Sequence, residues 1–213
     1  MGSLILVRHA TTAASESGRN LGRGSDPPLA PAGRKLATRL AATLAAELEE
    51  LPHDELRLVT SPALRCRETA AALAAGVGVA PDAVEADAGL IEIDYGAWDG
   101  LTAEECRARD PERRAAWEAD PYRTKCPGGE SGADVARRAF AVLVPLETWL
   151  AEDRARCAIV VAHNHVNGLR LCALLGWPMR EYRERLANDP GGYSLVTFGA
   201  EVPVVRRVNA APR

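Results

Sequence analysis

The chain has 213 residues, of which 26 are lysine or arginine and 29 are acidic, and 47% are hydrophobic. This length and composition are typical of one soluble globular domain. The net charge of −3 predicts no nucleic acid and no anionic membrane as partner. Five scattered cysteines without a CxxC pair disfavour a disulfide framework or a zinc site. Because the sequence shows no signal-peptide pattern and no apolar run of about 20 residues, we expect a cytoplasmic protein.

Strand-like and helix-like stretches alternate along the first third of the chain. Residues 3–8 are predicted to form a buried strand, followed by a long loop over 10–30 that is rich in Gly, Ser, Thr and Pro. A loop of this length in a compact domain is usually functional or disordered, and because this one leaves directly from Arg8-His9 we expect it to be functional. Leucines at every fourth position predict a helix over 31–50. A second strand is expected at 56–59. A helix is expected over 61–75, with its first residue, Ser61, as the cap.

The alternation continues after an excursion of two short helices, broken by prolines, at about 99–130. The remaining predicted elements are strands at 83–93, 157–162, 193–198 and 202–208, the last two as a hairpin through Gly199, and helices at 131–153, 164–175 and 179–187. Strands that alternate with helices predict an α/β fold. We therefore expect a three-layer α/β/α sandwich with a mainly parallel central sheet, as a single domain over 1–213 with the excursion above the site.

Basic side chains stand where three of the predicted strands end. Arg8 and His9 end the first strand, His163 ends a later one, and Arg65 follows another on the first turn of a helix. In open α/β sheets, ligands bind outside the carboxyl ends of the strands. Asn164 begins a helix there, and the free N–H groups of a helix start favour an anion. Since two guanidinium groups can grip a phosphate bidentately, the sequence predicts a phosphate-binding pocket.

A histidine inside such a pocket can act as a nucleophile. A neutral imidazole can form a phosphohistidine if its second ring nitrogen is held, for example by a backbone carbonyl. His9 is the candidate, with the arginines and a protonated His163 stabilising the charge on the transferred group. Glu92 is the candidate proton donor, because the pKa of a carboxyl group beside an anionic substrate is raised. Asp94 is the reserve candidate.

Four segments of the chain match motifs of a known family, in that family's order. They are Leu6-Val7-Arg8-His9-Ala10-Thr11, Ser61 to Ala70, Leu90 to Gly100 and Val160-Val161-Ala162-His163, with Asp26-x-Pro28-Leu29-x-x-x-Gly33 and Pro127-Gly128-Gly129-Glu130-Ser131 between them. With these motifs, nearly the whole chain resembles the histidine phosphatase superfamily, the phosphoglycerate-mutase-like family. The resemblance implies phosphoryl transfer without a metal or cofactor. The residues that it implies are His9 as nucleophile, Glu92 as proton donor, and Arg8, Arg65 and His163 as the phosphate pocket.

The chain departs from the family pattern at three places. Ala10 replaces the usual glycine after the nucleophile, and Ser15 stands where an asparagine is frequent. Asn164 and His165 replace a Gly-Gly pair, so larger polar side chains lie where the alcohol part of the substrate would bind. We expect Asn164 to contact the phosphate. The residues expected to contact the rest of the substrate, or a second anionic group on it, are Ser15, Arg19, Gly22, Arg23, His165, Arg123 and Lys125.

Three functions are compatible with these residues. The interval between Glu92 and His163 is short for a glycolytic mutase of the family, which favours a phosphomonoesterase acting on a small phosphorylated metabolite over a phosphomutase. A non-catalytic phosphate-binding module is disfavoured because all five chemical positions are filled. A metal pair at His163 and His165 lacks further ligands of suitable spacing. Family members are often dimers, so a homodimer is also expected.

Overall fold

The computed structural model describes residues 1–199 and 202–213, and these form a six-stranded sheet with helices on both faces. The strands are β1 (Gly2–Arg8), β2 (Glu55–Thr60), β3 (Val84–Ala86), β4 (Arg156–Ala162), β5 (Tyr193–Phe198) and β6 (Val204–Ala210). Their order across the sheet is β3-β2-β4-β1-β5-β6. The neighbours from β3 to β1 pair in parallel, whereas β5 and β6 are antiparallel. The predicted mainly parallel sheet is confirmed.

Several helices begin at a proline or a capping side chain. The helices are α1 (Ala13–Glu16), α2 (Pro31–Glu49), α3 (Leu64–Val77), α4 (Ala103–Arg109), α5 (Pro111–Ala119), α6 (Gly132–Glu152) and α7 (Asn164–Leu174), with 3-10 turns at Pro81–Ala83, Ala88–Leu90, Gly96–Trp98 and Met179–Glu181. Pro31 and Pro111 each occupy a first helical position, where a missing N–H has no cost. Ser131 caps α6 as predicted. In the described part of the chain, every helix is too short or too polar to cross a membrane.

Two hydrophobic layers lie against opposite faces of the sheet. Leu4 and Leu6 of β1 pack into a cluster with α6 and α7, and Ile5 and Val7 pack into a cluster with α2 and α3. This alternation follows from the two-residue period of a strand, and each fully buried side chain contributes about 1.5–3 kcal/mol. The three-layer α/β/α arrangement is therefore confirmed, with the parallel strands ending at one common edge.

Two element boundaries differ from the sequence prediction. The helix expected to start at Ser61 begins at Leu64, and its N-cap residue makes no side-chain cap. The backbone N–H of Ser61 instead donates to the carbonyl of Val161 at 2.9 Å, so this residue still extends the sheet, and its hydroxyl accepts the N–H of Ala63 at 3.4 Å. The strand expected over 83–93 ends at Ala86, because the side chain of Asp87 caps the next turn through the N–H of Gly89.

Two further differences lie near the C-terminus. The helix expected over 179–187 is a single 3-10 turn at Met179–Glu181. The second hairpin strand begins at Val204 rather than residue 202. The predicted turn after Gly199 includes residues 200 and 201, which lie outside the described residues.

Candidate active site

The two predicted site histidines lie side by side at the carboxyl ends of adjacent parallel strands. The β1–β4 register pairs Arg8 with Ala162, which places His9 next to His163. Their ring centroids are 5.2 Å apart, with the planes at 67°. Both side chains are buried. Residues 154 positions apart in the chain are thus brought together by strand pairing alone.

The hydrogen bonds of His9 fix its tautomer. Nδ1 lies 2.8 Å from the carbonyl oxygen of Ala10 and donates to it, which leaves the lone pair on Nε2. The N–H of Ala10 is itself held by the Thr69 hydroxyl at 3.1 Å. Burial, then Arg65, then Arg8 lower the pKa of His9 to about 3. The imidazole is therefore neutral at neutral pH, with a backbone carbonyl on its second nitrogen as the sequence predicts.

Arg65 is held almost entirely by backbone oxygens. Its Nη2 donates to the carbonyl of Gly22 at 3.0 Å and its Nη1 to that of Ser25 at 3.3 Å. The nearest carboxylate in the described chain is Asp26, at 3.7 Å. Arg65 is only 1% exposed. Carbonyl oxygens orient a guanidinium without cancelling its charge, so the positive charge remains beside the histidines.

His163 lies beneath His9 as a neutral imidazole. Arg65 can only donate, so the 3.4 Å contact between its Nη2 and Nδ1 of His163 makes Nδ1 an acceptor. Nε2 then donates to the Ser61 hydroxyl at 2.8 Å. Burial lowers the pKa of His163 well below the usual value. The expectation of a protonated His163 is wrong for this state, because the ring is buried beside arginines and both nitrogens are already engaged.

Glu92 is buried on the other side of the cleft. Its Oε1 accepts the N–H of Ile93 at 2.9 Å, and its Oε2 accepts the N–H of His165 at 3.4 Å. Burial raises the pKa of Glu92, but the facing side chain of His165, then His163 and the N–H of Ile93, outweigh burial and lower the pKa overall. The pKa is therefore shifted opposite to the raised value expected from the sequence, because histidines and N–H donors surround the carboxylate.

The reserve candidate, Asp94, is used elsewhere. Its carboxylate accepts the N–H of Gly96 at 2.8 Å and a bond from Arg23 at 3.0 Å. It does not line the cleft that contains His9. Residues 91–95 form no strand, so the two-residue alternation of a strand does not direct Asp94 to the side of Glu92.

A cavity of about 200 Å³ opens above His9, and we call it the cleft. It is lined by Arg8, His9, Ser15, Gly18, Arg19, Asn20, Leu21, Glu92, Tyr95, Asn164, His165 and Arg183. Of the five residues predicted to carry the chemistry, three line the cleft. Arg65 and His163 contact each other behind this wall instead. The structure therefore brings all five together, in two layers.

Of the seven residues predicted to contact the rest of the substrate or a second anionic group on it, three line the cleft and four do not. Ser15 does so while its hydroxyl accepts the N–H of Thr12 at 2.8 Å, and Arg19 does so while paired with Glu105 at 2.9 Å. His165 is the third, and its side chain is buried. Gly22 lies outside and positions Arg65 through its carbonyl. A Cβ there would come within 2.6 Å of a backbone oxygen.

The other predicted cations lie away from the cleft. Arg23 is paired with Asp94 at 3.0 Å, and Lys125 is paired with Asp134 at 3.1 Å. Neither they nor Arg123 line the cleft. Two of the three are bound to carboxylates and none lines the cleft, and their contact with a second anionic group stays a prediction.

Tyr95 and Arg183 line the cleft but are absent from the sequence prediction. The guanidinium of Arg183 lies 4.5 Å from the ring centroid of Trp117, a cation–π distance. Arg183 has no carboxylate within salt-bridge distance in residues 1–199 and 202–213. Its neighbours Glu181, Glu184 and Arg185 make the segment look like a solvated helix face, so the sequence carries no signal for its role. Tyr95 lies in the matched motif that contains Glu92, which is the signal that could have found it.

Within residues 1–199 and 202–213, no group of three or more His, Cys, Asp or Glu side chains is arranged to hold a metal ion.

Comparison with known proteins agrees with this geometry. A family model described as the histidine phosphatase superfamily (branch 1) matches residues 4–211. The chain belongs to the histidine phosphatase superfamily. This histidine phosphatase is 31% identical to phosphoserine phosphatase 1 of Hydrogenobacter thermophilus over 98% of the chain and 92% of the relative. It is 33% identical to glucosyl-3-phosphoglycerate phosphatase of Mycolicibacterium vanbaalenii, over 93% and 92%.

Solved structures show the same fold over the whole length. The mycobacterial glucosyl-3-phosphoglycerate phosphatase complexed with VO3 superimposes with a TM-score of 0.83 at 25% identity, covering 99% of this chain and all of that one. A structure from Mycobacterium tuberculosis gives a TM-score of 0.80 at 28% identity, covering 100% and 99%. The expected family is therefore confirmed, and the relatives named here are phosphatases.

Proposed function

We propose that this histidine phosphatase is a phosphomonoesterase that acts on a small phosphorylated metabolite through a phosphohistidine at His9. The observation that carries the proposal is the fixed tautomer of His9, since its Nδ1 is bound to the Ala10 carbonyl at 2.8 Å. A neutral imidazole whose only free nitrogen faces an anion pocket has the state that a nucleophile needs. The phosphatase names of the relatives support hydrolysis as the net reaction.

The reaction proceeds in two steps. In the first, the Nε2 lone pair of His9 forms a bond to phosphorus while the bond to the ester oxygen breaks. The departing alcohol takes its proton from Glu92. Arg8 and Arg65 stabilise the equatorial oxygens, with Asn164 contributing at the start of α7. A phosphate dianion next to Glu92 raises the pKa of that carboxyl, which favours the protonated donor at this stage.

The second step returns the enzyme to its starting state. Ionised Glu92 takes a proton from water, the water oxygen attacks phosphorus, and the bond to Nε2 of His9 breaks. Inorganic phosphate leaves, and Glu92 is protonated again. His163 acts as a neutral group that holds Arg65 and faces the phosphate pocket.

The substrate is proposed to carry a second anionic group near the phosphate. Arg183 supports this, because it lines the cleft and has no carboxylate partner in the described chain. The names phosphoserine phosphatase and glucosyl-3-phosphoglycerate phosphatase describe relatives whose substrates carry a carboxylate as well as a phosphate. Cytoplasmic location and a homodimer stay predictions.

Hydrolysis of 4-nitrophenyl phosphate in the presence of EDTA tests the proposal. We expect turnover without added metal and a loss of roughly 10,000-fold or more in His9→Ala, as removal of a nucleophile causes in other enzymes. Quenching in base, in which phosphohistidine survives, followed by mass spectrometry should place the phosphoryl group on His9. Phosphoryl exchange between alcohols without net hydrolysis would indicate a mutase, and binding without turnover would indicate a non-catalytic module.

A further inference from the structure

We propose that His165 is a positioning residue for Glu92, which it holds so that the proton lies on the oxygen that faces the leaving group. This inference rests on the proposed function, because it assigns a partner to the proton donor of that reaction. His165 is the second residue of α7, where a Gly-Gly pair is usual in the family that the sequence resembles. A glycine could not make the side-chain contacts described next.

His165 faces both oxygens of the Glu92 carboxylate. Its backbone N–H, one of the free donors at the start of α7, reaches Oε2 at 3.4 Å. Its ring nitrogen Nδ1 lies 3.4 Å from Oε1. Oε1 also accepts the N–H of Ile93 at 2.9 Å. One oxygen is thus approached by two nitrogens and the other by one.

The imidazole is held in place by three aromatic side chains, Tyr95, Trp117 and Tyr182, which we call the aromatic wall. Their ring centroids lie 5.4, 6.4 and 5.6 Å from that of His165. The Tyr95 hydroxyl is 3.3 Å from Nε2, and we assign it as the donor. Nδ1 then carries the ring hydrogen and directs it towards Glu92.

Nδ1 is buried and has no hydrogen-bond partner of good geometry within residues 1–199 and 202–213. A buried N–H without a partner is costly, and the group that it faces at 3.4 Å is Oε1 of Glu92. A small rotation of either side chain completes this bond. Burial also lowers the pKa of His165, against the attraction of Glu92, which keeps the ring neutral and Nδ1 a donor.

The consequence for catalysis concerns which oxygen of Glu92 carries the proton. Oε1, which accepts from Ile93 and His165, is a poor site for a proton because it is already bound by N–H donors. The proton therefore resides on Oε2. When the ester bond breaks, this proton moves from Oε2 to the departing alcohol oxygen as the Nε2–phosphorus bond of His9 forms. Without His165, Glu92 stays in place, but its proton is no longer confined to Oε2.

The experiment compares two esters that differ in their need for a proton donor. 4-Nitrophenolate leaves readily without a proton, whereas phenolate is a poorer leaving group, and the two substrates have a similar shape. The parameter kcat/KM covers formation of the phosphohistidine and release of the phenol. For His165→Ala and His165→Phe, we expect a loss of about tenfold on phenyl phosphate, a fraction of the roughly 100–10,000-fold that a positioned acid contributes. Both variants should keep most of their activity on 4-nitrophenyl phosphate.

His165→Asn and Glu92→Gln sharpen the result. The Asn amide can place an N–H close to the position of Nδ1, so activity on phenyl phosphate should partly return. When His165→Ala is added to Glu92→Gln, kcat/KM on phenyl phosphate should fall little further than in Glu92→Gln alone, because the two residues act as one unit. His53→Asn is the matched control, because the His53 side chain contacts the carbonyl of Leu51 away from the cleft. This variant should leave kcat/KM unchanged on both esters.

An equal loss on both esters, or full additivity with Glu92→Gln, would overturn the assignment. His165→Phe keeps an aromatic ring against the aromatic wall, so it supplies the comparison if His165→Ala does not fold. A failure of the proposed function looks different, because His9→Ala would then retain activity on both esters.

Discussion

The floor of the site differs from its rim in how charged groups find partners. The floor comprises Arg8 and His9, which line the cleft, and Arg65 and His163, which lie behind them. In the floor, arginines donate to backbone carbonyls, as Arg65 does to Gly22 at 3.0 Å and Arg8 to Asn188 at 2.6 Å. At the rim, formed by residues 10–30, α4, α5 and residues 179–185, arginines mostly pair with carboxylates. The floor thus keeps its positive charge available for an anion, whereas most of the rim neutralises its own.

This difference separates two tasks. Surface pairs such as Arg19 with Glu105, where both side chains are more than two-fifths exposed, contribute little to stability, because water and salt screen the two charges. They shape the rim and leave little charge with which to select a substrate. Breaking the hydrogen bonds between the buried arginines of the floor and backbone carbonyls costs more free energy, because each broken bond leaves a buried polar group without a partner.

The largest expected effect comes from changing a floor arginine while keeping its charge. Arg65→Lys should lower kcat/KM on 4-nitrophenyl phosphate by roughly 100–1,000-fold, as loss of one transition-state donor does. A lysine has one ammonium group and cannot reach the Gly22 and Ser25 carbonyls and His163 together. Steady-state kinetics, with a thermal melt to show that the variant is folded, measure this.

Arg67→Lys is the matched control for that change. Arg67 lies two residues further along α3 with an exposed side chain, and the variant should behave like the wild type. A similar small effect in both variants would show that the fork geometry of Arg65 is unimportant and that charge alone suffices.

The next effect concerns the acid stability of the floor. His9 has a pKa of about 3 in the folded protein, while the unfolded chain binds a proton near 6.5. Between these values the unfolded state holds more protons, so stability is fully present above 6.5 and falls as the pH drops towards 3. From pH 7 to pH 5, His9 alone should cost about 2 kcal/mol.

Urea denaturation of the wild type and His9→Asn at the two pH values isolates this contribution. His163 and His165 also have lowered pKa values and remain in both proteins, so the difference reports His9. The wild type should lose about 2 kcal/mol more than the variant. Parallel losses in the two proteins would mean that His9 is not buried in its neutral form.

The floor was predictable from the sequence and most of the rim was not. Arg8, His9 and His163 follow apolar strands directly, and the rule that ligands collect at the carboxyl ends of parallel strands brings them together. Their contacts depend on strand pairing, which hydrophobic runs reveal. The neutral state of His163 was missed, because burial beside Arg65 is a tertiary property that no local pattern records.

Rim residues depend on loop paths and on partners from other segments. Asp94 was the reserve proton donor, but its carboxylate binds Gly96 and Arg23 outside the cleft. Arg23 and Lys125 were expected to contact a second anionic group, although carboxylates from neighbouring elements bind them. Arg183 contacts Trp117 of α5, more than 60 positions earlier, and spacing gives no indication of that contact.

Arg183 differs from most rim arginines because it has no carboxylate partner in the described chain. Its removal should have the smallest and most selective effect on substrate binding. Phosphoserine and phosphoethanolamine differ by one carboxylate, so comparing them isolates recognition of a second anion. Arg183→Gln should raise KM for phosphoserine about tenfold, since a charge-assisted hydrogen bond contributes about 1.5–3 kcal/mol. It should leave phosphoethanolamine and kcat unchanged, because the guanidinium acts on binding and not on the bond that breaks.

Arg180→Gln provides the control in the same segment. Arg180 is exposed and its nearest carboxylate, on Glu181, is 3.9 Å away, but it does not line the cleft, so both substrates should be turned over as by the wild type. If Arg183→Gln raises KM equally for both substrates, Arg183 supports the aromatic side of the cleft through Trp117 and does not bind a carboxylate. If KM rises for neither substrate, the rim does not select substrates by their charge. Specificity for the alcohol part must then come from the shape of the cleft around Tyr95 and His165.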